Sequence, residues 1–123
     1  MANDYDMTAR NAMLDALGVL CTRVALHSGD PGAANTAANE LTGGSPAYAR
    51  KAIAWNAAAA GAATPTGNVV LDVPAATTVS WVSYWNVAGT VRYYKKDVTD
   101  EVFGAQGTYT HLAAGSEINL NDA

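Results

Sequence analysis

The chain has 123 residues and a mass of 12.7 kDa, which suits one domain, since domains typically hold roughly 100–150 residues. Eleven acidic and seven basic side chains give a net charge of −4 at pH 7, which argues against binding nucleic-acid phosphates through clustered Lys and Arg. No apolar run approaches the roughly 20 residues that span a bilayer, so membrane insertion is not expected. The acidic first residues are unlike a signal peptide, and the single Cys21 excludes an internal disulfide framework and a cysteine-built zinc site.

The first predicted element is an amphipathic helix over residues 6–17. Small or apolar side chains recur there at helical spacing: Ala9, Ala12, Met13, Ala16, Leu17 and Leu20. Asp4 or Asp6 can cap its start, and Gly18 suits the left-handed residue that follows a helix end. We therefore expect the helix to end before Gly18 and to pack this apolar face on a sheet.

A strand and a long loop follow. Residues 23–28 alternate with the two-residue period of a half-buried strand, and an Asp-Pro-Gly turn at 30–32 ends it. A surface loop is predicted over about residues 29–47, with Gly43 and Gly44 forming a second turn. Loops of this length without secondary structure are typically functional or partly disordered.

Short strands fill the rest of the chain. The strongest is Thr77–Val87, joined by a turn to Val91–Lys95. Further strands are predicted at 51–55, 69–73, 98–103, 108–112 and 116–120, and the Ala-rich stretch 57–63 is predicted to be a loop. Strands separated by Gly, Pro and Asn, without alternating helices, are typical of antiparallel sandwiches. The expected fold is mainly β: one domain over residues 1–123, an antiparallel, jelly-roll-like β-sandwich with one N-terminal α-helix.

The sequence contains no constellation that indicates catalytic, metal-binding or cofactor-binding residues. Cys21 lies in an apolar run and is interpreted as a buried structural thiol. His27 and His111 are the only imidazoles, and they lack the spacing of a metal site. The carboxylates that paired acid–base chemistry would use are interpreted as solvated surface groups: Asp72, Asp97, Asp100, Glu101 and Glu117. We therefore expect no enzyme and no cofactor.

Aromatic residues concentrate in the two strongest strands: Trp81, Tyr84, Trp85, Tyr93 and Tyr94. Core packing is the first interpretation, because large rings fill the interior of an Ala-rich domain. The alternative is a surface that stacks sugars or docks partners, since Trp81 and Trp85 share one strand face with Val79, and Tyr84 lies on the other. Exposed rings would favour the surface, and buried rings the core.

Three segments resemble a recurrent pattern in small proteins of tailed bacteriophages that are labelled tail fibre or minor tail proteins. They are VALHSGDPG at 24–32, NELTGGSPAYARKA at 39–52 and TVSWVSYWN at 78–86, and the resemblance covers most of residues 10–90. It implies a component of the virion and no catalytic residues. The last third of the chain departs from the pattern.

The resemblance singles out a set of residues that we expect to fix the long loop: Asp30, Pro31, Gly32, Gly43, Gly44, Tyr48 and Arg50. Our hypothesis is that Tyr48 packs beneath the loop. Arg50 is expected to donate hydrogen bonds to its backbone carbonyls.

The sequence thus predicts a non-enzymatic structural protein of a tailed phage virion, assembled in the host bacterial cytoplasm as a homo-oligomer. Its expected partners are other virion proteins and, further, a host-surface glycan or receptor. A head decoration protein that stabilises the capsid is the nearest alternative, because small size and mild acidity fit it equally well. A carbohydrate-binding module that uses Trp81, Tyr84 and Trp85 is the third possibility.

Overall fold

The computed structural model describes residues 5–119, which form one helix and eight strands. In chain order they are α1 (Met7–Leu20), β1 (Arg23–His27), β2 (Lys51–Ala52), β3 (Ala62–Ala63), β4 (Val69–Val73), β5 (Thr77–Trp85), β6 (Arg92–Phe103), β7 (Gly107–His111) and β8 (Ile118–Asn119). The predicted mainly β chain with an N-terminal helix is confirmed. The predicted strand at 69–73 has the expected bounds, and Leu120 of the last one lies outside the described residues.

The strands form a central sheet and two ribbons. The central sheet has the order β2-β1-β5-β6, whereas β3 pairs with β8 and β4 pairs with β7. Every pairing between these strands is antiparallel, as expected. Buried side chains from α1, the central sheet and both ribbons meet in one core, among them Leu14, Leu26, Leu71, Val82 and Ile118. Sheets and helices bury their apolar faces by packing as layers around one shared core.

The helix differs from the prediction in its end and in its buried face. It runs through Gly18 to Leu20. Trp55 packs closely against the helix there, and a Cβ on Gly18 would lie 3.2 Å from the Trp55 Cβ. Leu14 is its buried residue, whereas Met13 and Leu20 are exposed. Gly18 therefore serves a close approach and not a helix end.

Polar groups explain this orientation of the helix. The Asp15 carboxylate accepts a hydrogen bond from the Ala58 N–H at 2.7 Å, and the Asn11 side-chain oxygen accepts one from the Gly61 N–H at 3.0 Å. Both amides belong to the Ala-rich stretch, which is not helical, as predicted, and contributes only the short strand β3. Backbone amides that have no hydrogen-bond partner in a sheet need such acceptors. The polar side chains Asn11 and Asp15 of the helix therefore face the amides of the Ala-rich stretch.

Strand β1 is buried on both faces, so the expectation of a half-buried strand is wrong. Residues 24–27 are all buried, because one face contacts the shared core and the segment that follows β1 covers the other. Strand β2 is shorter than the predicted strand 51–55, since it pairs with β1 at only two positions.

The two strands predicted at 91–95 and 98–103 are one strand, β6. Its register with β5 pairs Trp81 with Asp97 and Val79 with Glu101, so residues 98–100 face Ser80 alone in a β-bulge. The bulge changes the alternation along β5. Val79 therefore lies in the core and not on the same face as Trp81, which corrects the predicted face.

Candidate functional site: a long loop held on the central sheet

The segment that covers the second face of β1 is the long loop, residues 28–50. The Asp30 carboxylate accepts a hydrogen bond from the Gly32 N–H at 2.9 Å, and Gly32 has φ +90°, a conformation that favours glycine. Pro31 is buried, and its carbonyl accepts the Ala38 N–H at 3.1 Å. The Asp-Pro-Gly turn therefore ends β1 and also organises the first part of the loop.

Two cations on β6 hold this first part of the loop. The Arg92 guanidinium donates hydrogen bonds to the carbonyl oxygens of Gly32 at 2.8 Å and Ala33 at 3.0 Å. The Lys95 ammonium donates to the Asp30 carboxylate at 2.7 Å and to the Gly32 carbonyl at 3.1 Å. The hydrogen bond from Lys95 is the largest reason that the pKa of Asp30 is lowered. Sequence reasoning missed both cations, because they lie some 60 residues along the chain from these partners.

The second part of the loop is held by Glu40, Tyr48 and Arg50. Arg50 donates two hydrogen bonds of 2.8 Å to the two oxygens of the Glu40 carboxylate. The Tyr48 hydroxyl donates to Glu40 at 2.7 Å and accepts the Leu26 N–H at 3.0 Å. Tyr48 thus provides a hydrogen-bond partner along β1 where β2 no longer pairs. Among the described residues, the Arg50 guanidinium binds the Glu40 carboxylate and not the backbone carbonyls we expected, whereas Arg92 donates to two loop carbonyls.

The electrostatics of this group follow from partial burial and close contact. Burial acts to raise the pKa of Glu40, but hydrogen bonds from Arg50 and Tyr48 outweigh it, so the pKa is lowered. The same contact raises the pKa of Arg50, and burial is the main cause of the raised pKa of Tyr48. Glu40 and Arg50 are therefore charged, and Tyr48 is neutral, at pH 7.

Arg50 of the long loop and Lys95 of β6 each place a positive charge near a tryptophan ring of β5. The Arg50 guanidinium lies 4.0 Å from the centre of the Trp85 ring, and the Lys95 Nζ lies 5.5 Å from that of Trp81. Both distances are typical of cation–π contacts. Trp85 is 2% exposed, and Trp81 is partly exposed. Charged side chains therefore cover part of the second face of the central sheet.

A buried hydrogen-bonded chain lies beneath the loop. The Trp85 indole N–H donates to the Ser83 hydroxyl oxygen at 2.7 Å, and His27 Nε2 lies 2.7 Å from the same oxygen. His27 Nδ1 is 3.0 Å from the Ala38 carbonyl, which can only accept, so Nδ1 carries the proton and Nε2 accepts the Ser83 proton. Burial is the main cause of the lowered pKa of His27. This Ser–His pair, which sequence reasoning missed, is sealed from solvent and connects the loop to β5.

The predicted aromatic group does not form one surface. Tyr84 is fully buried in the core, where its ring packs edge-on against Trp55 with centroids 5.0 Å apart and stacks on Tyr94 at 5.7 Å. Tyr93 and Tyr94 are half-buried and pack against this core. Because Tyr84 lies in the core and Trp85 under the loop, on opposite faces of β5, neither ring is available to stack on a sugar.

The second turn of the loop contacts the connection between β6 and β7. Gly43 and Gly44 have φ +85° and +96°. The Gln106 side chain accepts the Ser45 N–H at 3.1 Å and donates to the Pro46 carbonyl at 3.1 Å. A Cβ on Gly44 would lie 2.6 Å from the Gln106 oxygen, whereas one on Gly43 would meet no atom within 4 Å. The Cβ on Gly44 would also lie 3.2 Å from the Pro46 carbonyl oxygen and 3.3 Å from the Pro74 Cα, so close packing as well as φ favours glycine at position 44.

A cleft of about 500 Å³ separates β6 from β7. Residues 96–101 line one side and residues 109–112 the other. His111 is 2% exposed, its Nε2 lies 2.8 Å from the Tyr84 hydroxyl, and its Nδ1 has no hydrogen-bond partner among the described residues. Burial is the main cause of its pKa being lowered to about 4. Sequence reasoning did not find this cleft, because nothing local shows that two consecutive strands diverge.

Other candidate groups occupy structural positions. Cys21 is fully buried, and burial raises its pKa to about 12, so the thiol is protonated at pH 7. Between residues 5 and 119, no three His, Cys, Asp or Glu side chains are grouped so as to hold a metal ion. In the same part of the chain, no helix combines the length and apolar character needed to cross a membrane.

Residues 6–96 match the protein-family model described as Podophage GP4 fiber I protein gp80. No curated protein and no solved structure matches the chain. The matched residues include the whole long loop together with Arg92 and Lys95, which hold it.

Proposed function

We propose that this chain, which belongs to the podophage GP4 fiber I protein gp80 family, is a non-enzymatic structural component of a phage tail fibre that assembles by oligomeric packing and docks through its long loop. Membership of a fibre family supports a virion component of the tail, and it favours the tail over the capsid-decoration alternative. The buried positions of Tyr84 and Trp85 count against a carbohydrate-binding module built on these rings.

The observation that carries the docking proposal is how firmly the long loop is held. Ordering each residue of an irregular segment costs about 1–2 kcal/mol of conformational entropy, and charged side chains from β6 and from the loop itself oppose that cost. Residues 33–36 and 42–47 nevertheless remain exposed above these contacts. A preordered exposed segment loses little further entropy on binding, so these two stretches suit a surface that meets another virion protein.

The location is tested on intact particles of the phage that encodes the chain. Gold-labelled antibody against the purified chain should mark the tail in electron micrographs, and mass spectrometry of the same particles should detect the chain. Label over the head would replace the fibre role with the decoration role. Particles without the chain would contradict any role in the virion.

The docking surface is tested by adding a long side chain to the exposed loop. Ala34 is exposed, so Ala34→Lys leaves the contacts beneath it intact. We expect at least tenfold less incorporation of Ala34→Lys into particles than of the control Thr66→Lys, which changes an exposed position outside the loop. Equal incorporation of both variants would contradict docking through this loop.

A further inference from the structure

The cleft between β6 and β7 has no part in docking through the long loop, since no residue of that loop lines it. Its volume of about 500 Å³ lies within the range of about 300–1,000 Å³ that small-ligand pockets occupy. The floor of the cleft consists of its buried lining residues, Val82, Tyr84 and His111. The floor is therefore largely apolar, and the imidazole is its most polar group.

The floor carries an N–H group that has no acceptor. Burial raises the pKa of Tyr84, so its hydroxyl keeps the proton at pH 7, and His111 Nε2 lies 2.8 Å from it. The imidazole is neutral at this pH, because its pKa is lowered to about 4. Nε2 therefore accepts the Tyr84 proton, and Nδ1 carries the single hydrogen of the ring. Within residues 5–119 this buried N–H has no hydrogen-bond partner, which costs free energy until an acceptor arrives.

Carboxylates without partners line the rim of the cleft on β6. Asp97, Asp100 and Glu101 are exposed, and none makes a hydrogen bond or ion pair with another residue in 5–119. Lys96 is the only cation among the residues that line the cleft. Ionised carboxylates accept hydrogen bonds and repel anions. The rim therefore favours a ligand that carries donors such as hydroxyl groups and no negative charge.

The opposite wall supplies an aromatic ring. Tyr109 of β7 is half-buried and lines the cleft. Burial and, after it, the nearby Glu101 carboxylate raise the pKa of Tyr109, so the ring and this carboxylate lie close together across the cleft. A ring beside carboxylates suits a ligand that has an apolar face and polar edges.

Lys96 bridges the two walls. Its ammonium donates to the Gly115 carbonyl at 3.2 Å, and it lies close enough to His111 to act in lowering the pKa of the imidazole. This contact is exposed, and exposed contacts of flexible lysines contribute little to stability. A ligand therefore reaches the floor of the cleft by displacing the Lys96 side chain.

We propose that the cleft binds an N-acetylated hexosamine. Its acetamide carbonyl accepts the His111 Nδ1 hydrogen, and its methyl group packs on Val82. The ring hydroxyls donate to the carboxylates of β6, and the apolar face of the sugar lies against Tyr109. The acetamide is the part of the ligand that combines an acceptor with an apolar group, as the floor requires. This site is separate from the tryptophans of β5 and goes beyond docking through the long loop.

The test is an NMR titration of the purified chain with N-acetylglucosamine and N-acetylgalactosamine. The His111 ring nitrogens and the amides of residues 96–101 and 109–112 should shift. Glucose and galactose lack the acetamide, and acetamide lacks the ring hydroxyls, so each should bind at least tenfold more weakly than the acetylated sugars. No shift at tens of millimolar acetylated sugar, or equal binding of acetamide alone, would overturn the proposal.

His111→Gln tests the buried N–H by itself, because the amide keeps a partner for the Tyr84 hydroxyl and places no group at Nδ1. The preference for acetylated over plain sugars should fall from at least tenfold to within about twofold. A preference that survives in the folded variant would contradict the role of Nδ1.

The exposed rim provides a second test that does not disturb the core. Asp100→Ala/Glu101→Ala should weaken binding of acetylated sugars at least tenfold. Asp72→Ala is the matched control, since it removes a carboxylate on β4 that does not line the cleft, and it should leave binding within twofold of the wild type. Equal effects of the control and the double variant would overturn the proposal. Circular dichroism checks that all variants are folded.

The source of the sugar is distinguished by the β-1,4-linked trimer of N-acetylglucosamine. A trimer that binds at least tenfold more tightly than the monosaccharide indicates a segment of a polysaccharide, and binding within threefold indicates a single sugar unit; both support the site. A chain that binds the sugar but is absent from particles overturns only the fibre role.

Discussion

The Arg50 guanidinium and the Glu40 carboxylate, ten residues apart in the long loop, form a two-point ion pair whose members are 21% and 16% exposed. The Trp85 ring packs against this pair from the side of the central sheet, and the centre of the ring lies 4.0 Å from the guanidinium carbon of Arg50. Two-point pairs of this kind are stronger and more directional than single charge contacts. This relationship fixes the end of the loop to the central sheet.

Arg50→Ala should lower the free energy of unfolding by about 2 kcal/mol, because it leaves the half-buried Glu40 carboxylate without its main partner. Urea unfolding at pH 7 measures the change. Arg50→Lys should fall between the wild type and Arg50→Ala, since it keeps the charge and loses the two-point geometry. Lys51→Ala, at an exposed neighbouring position, should change stability by less than about 0.5 kcal/mol. An Arg50→Ala chain as stable as Lys51→Ala would show that the pair does not stabilise the fold.

Arg92→Ala should loosen the first part of the loop with little effect on global stability. Its guanidinium holds the Gly32 and Ala33 carbonyls, which lie at the exposed end of the loop. Hydrogen–deuterium exchange of residues 32–38 should accelerate at least tenfold, because local opening no longer breaks these bonds. Exchange in β5 serves as the internal reference and should not change. Unaltered exchange in the loop would mean that Lys95 and the turn suffice to hold it.

Gly44→Ala should destabilise the chain more than Gly43→Ala. Both residues have positive φ, so both substitutions cost about 1 kcal/mol of backbone strain. Only a Cβ on Gly44 meets neighbouring atoms, at 2.6 Å from the Gln106 oxygen, 3.2 Å from the Pro46 carbonyl oxygen and 3.3 Å from the Pro74 Cα. Thermal unfolding of the two variants measures the cost of these contacts, and equal melting temperatures would show that the neighbouring atoms accommodate the Cβ without cost.

Stability should fall as the pH is lowered from about 6.5 towards 4, because the pKa of His111 is lowered from 6.5 to about 4 in the folded chain. Between these values the unfolded chain binds the proton and the folded chain does not. The neutral imidazole therefore contributes stability that is complete above about pH 6.5 and is lost as the pH falls, up to about 3 kcal/mol. The lowered pKa of His27 acts in the same direction.

His111→Gln isolates this contribution, because the amide occupies the position of Nε2 beside Tyr84 but does not titrate. Its free energy of unfolding, measured at intervals between pH 7 and 4, should depend less steeply on pH than that of the wild type. An equal slope in both chains would assign the acid sensitivity to other groups.

Iodide quenching should distinguish the two tryptophans of β5. Trp85 is 2% exposed beneath Arg50, whereas Trp81 is partly exposed beside Lys95. Trp85→Phe should leave the quenchable part of the emission intact, and Trp81→Phe should remove a large share of it. The reverse pattern would place Trp85 at the surface and reopen the stacking interpretation.

Much of the architecture follows from local patterns in the sequence. The two-residue period of β1, β4 and β5 predicts strands, since alternating side chains are what a sheet needs. Asp30, Pro31 and Gly32 predict a turn, because their dihedral preferences are local. The length and composition of the segment after them predict a long loop. These features depend on neighbours a few residues away, so the sequence by itself determined them.

The candidate site was decided by contacts between distant residues. His27 lies beside Ser83 across 56 positions of the chain, and Arg92 donates to the Gly32 carbonyl across 60. Arg50 binds the Glu40 carboxylate and not the backbone carbonyls that the sequence predicted. Gly18 lies inside the helix, where Trp55 packs against it. Periodicity says which side chains share a face, but only the packed chain decides what covers that face. Only the tertiary structure therefore shows what covers the second face of the central sheet. The bulge in β6 and the cleft beside β6 likewise could not be predicted from the sequence.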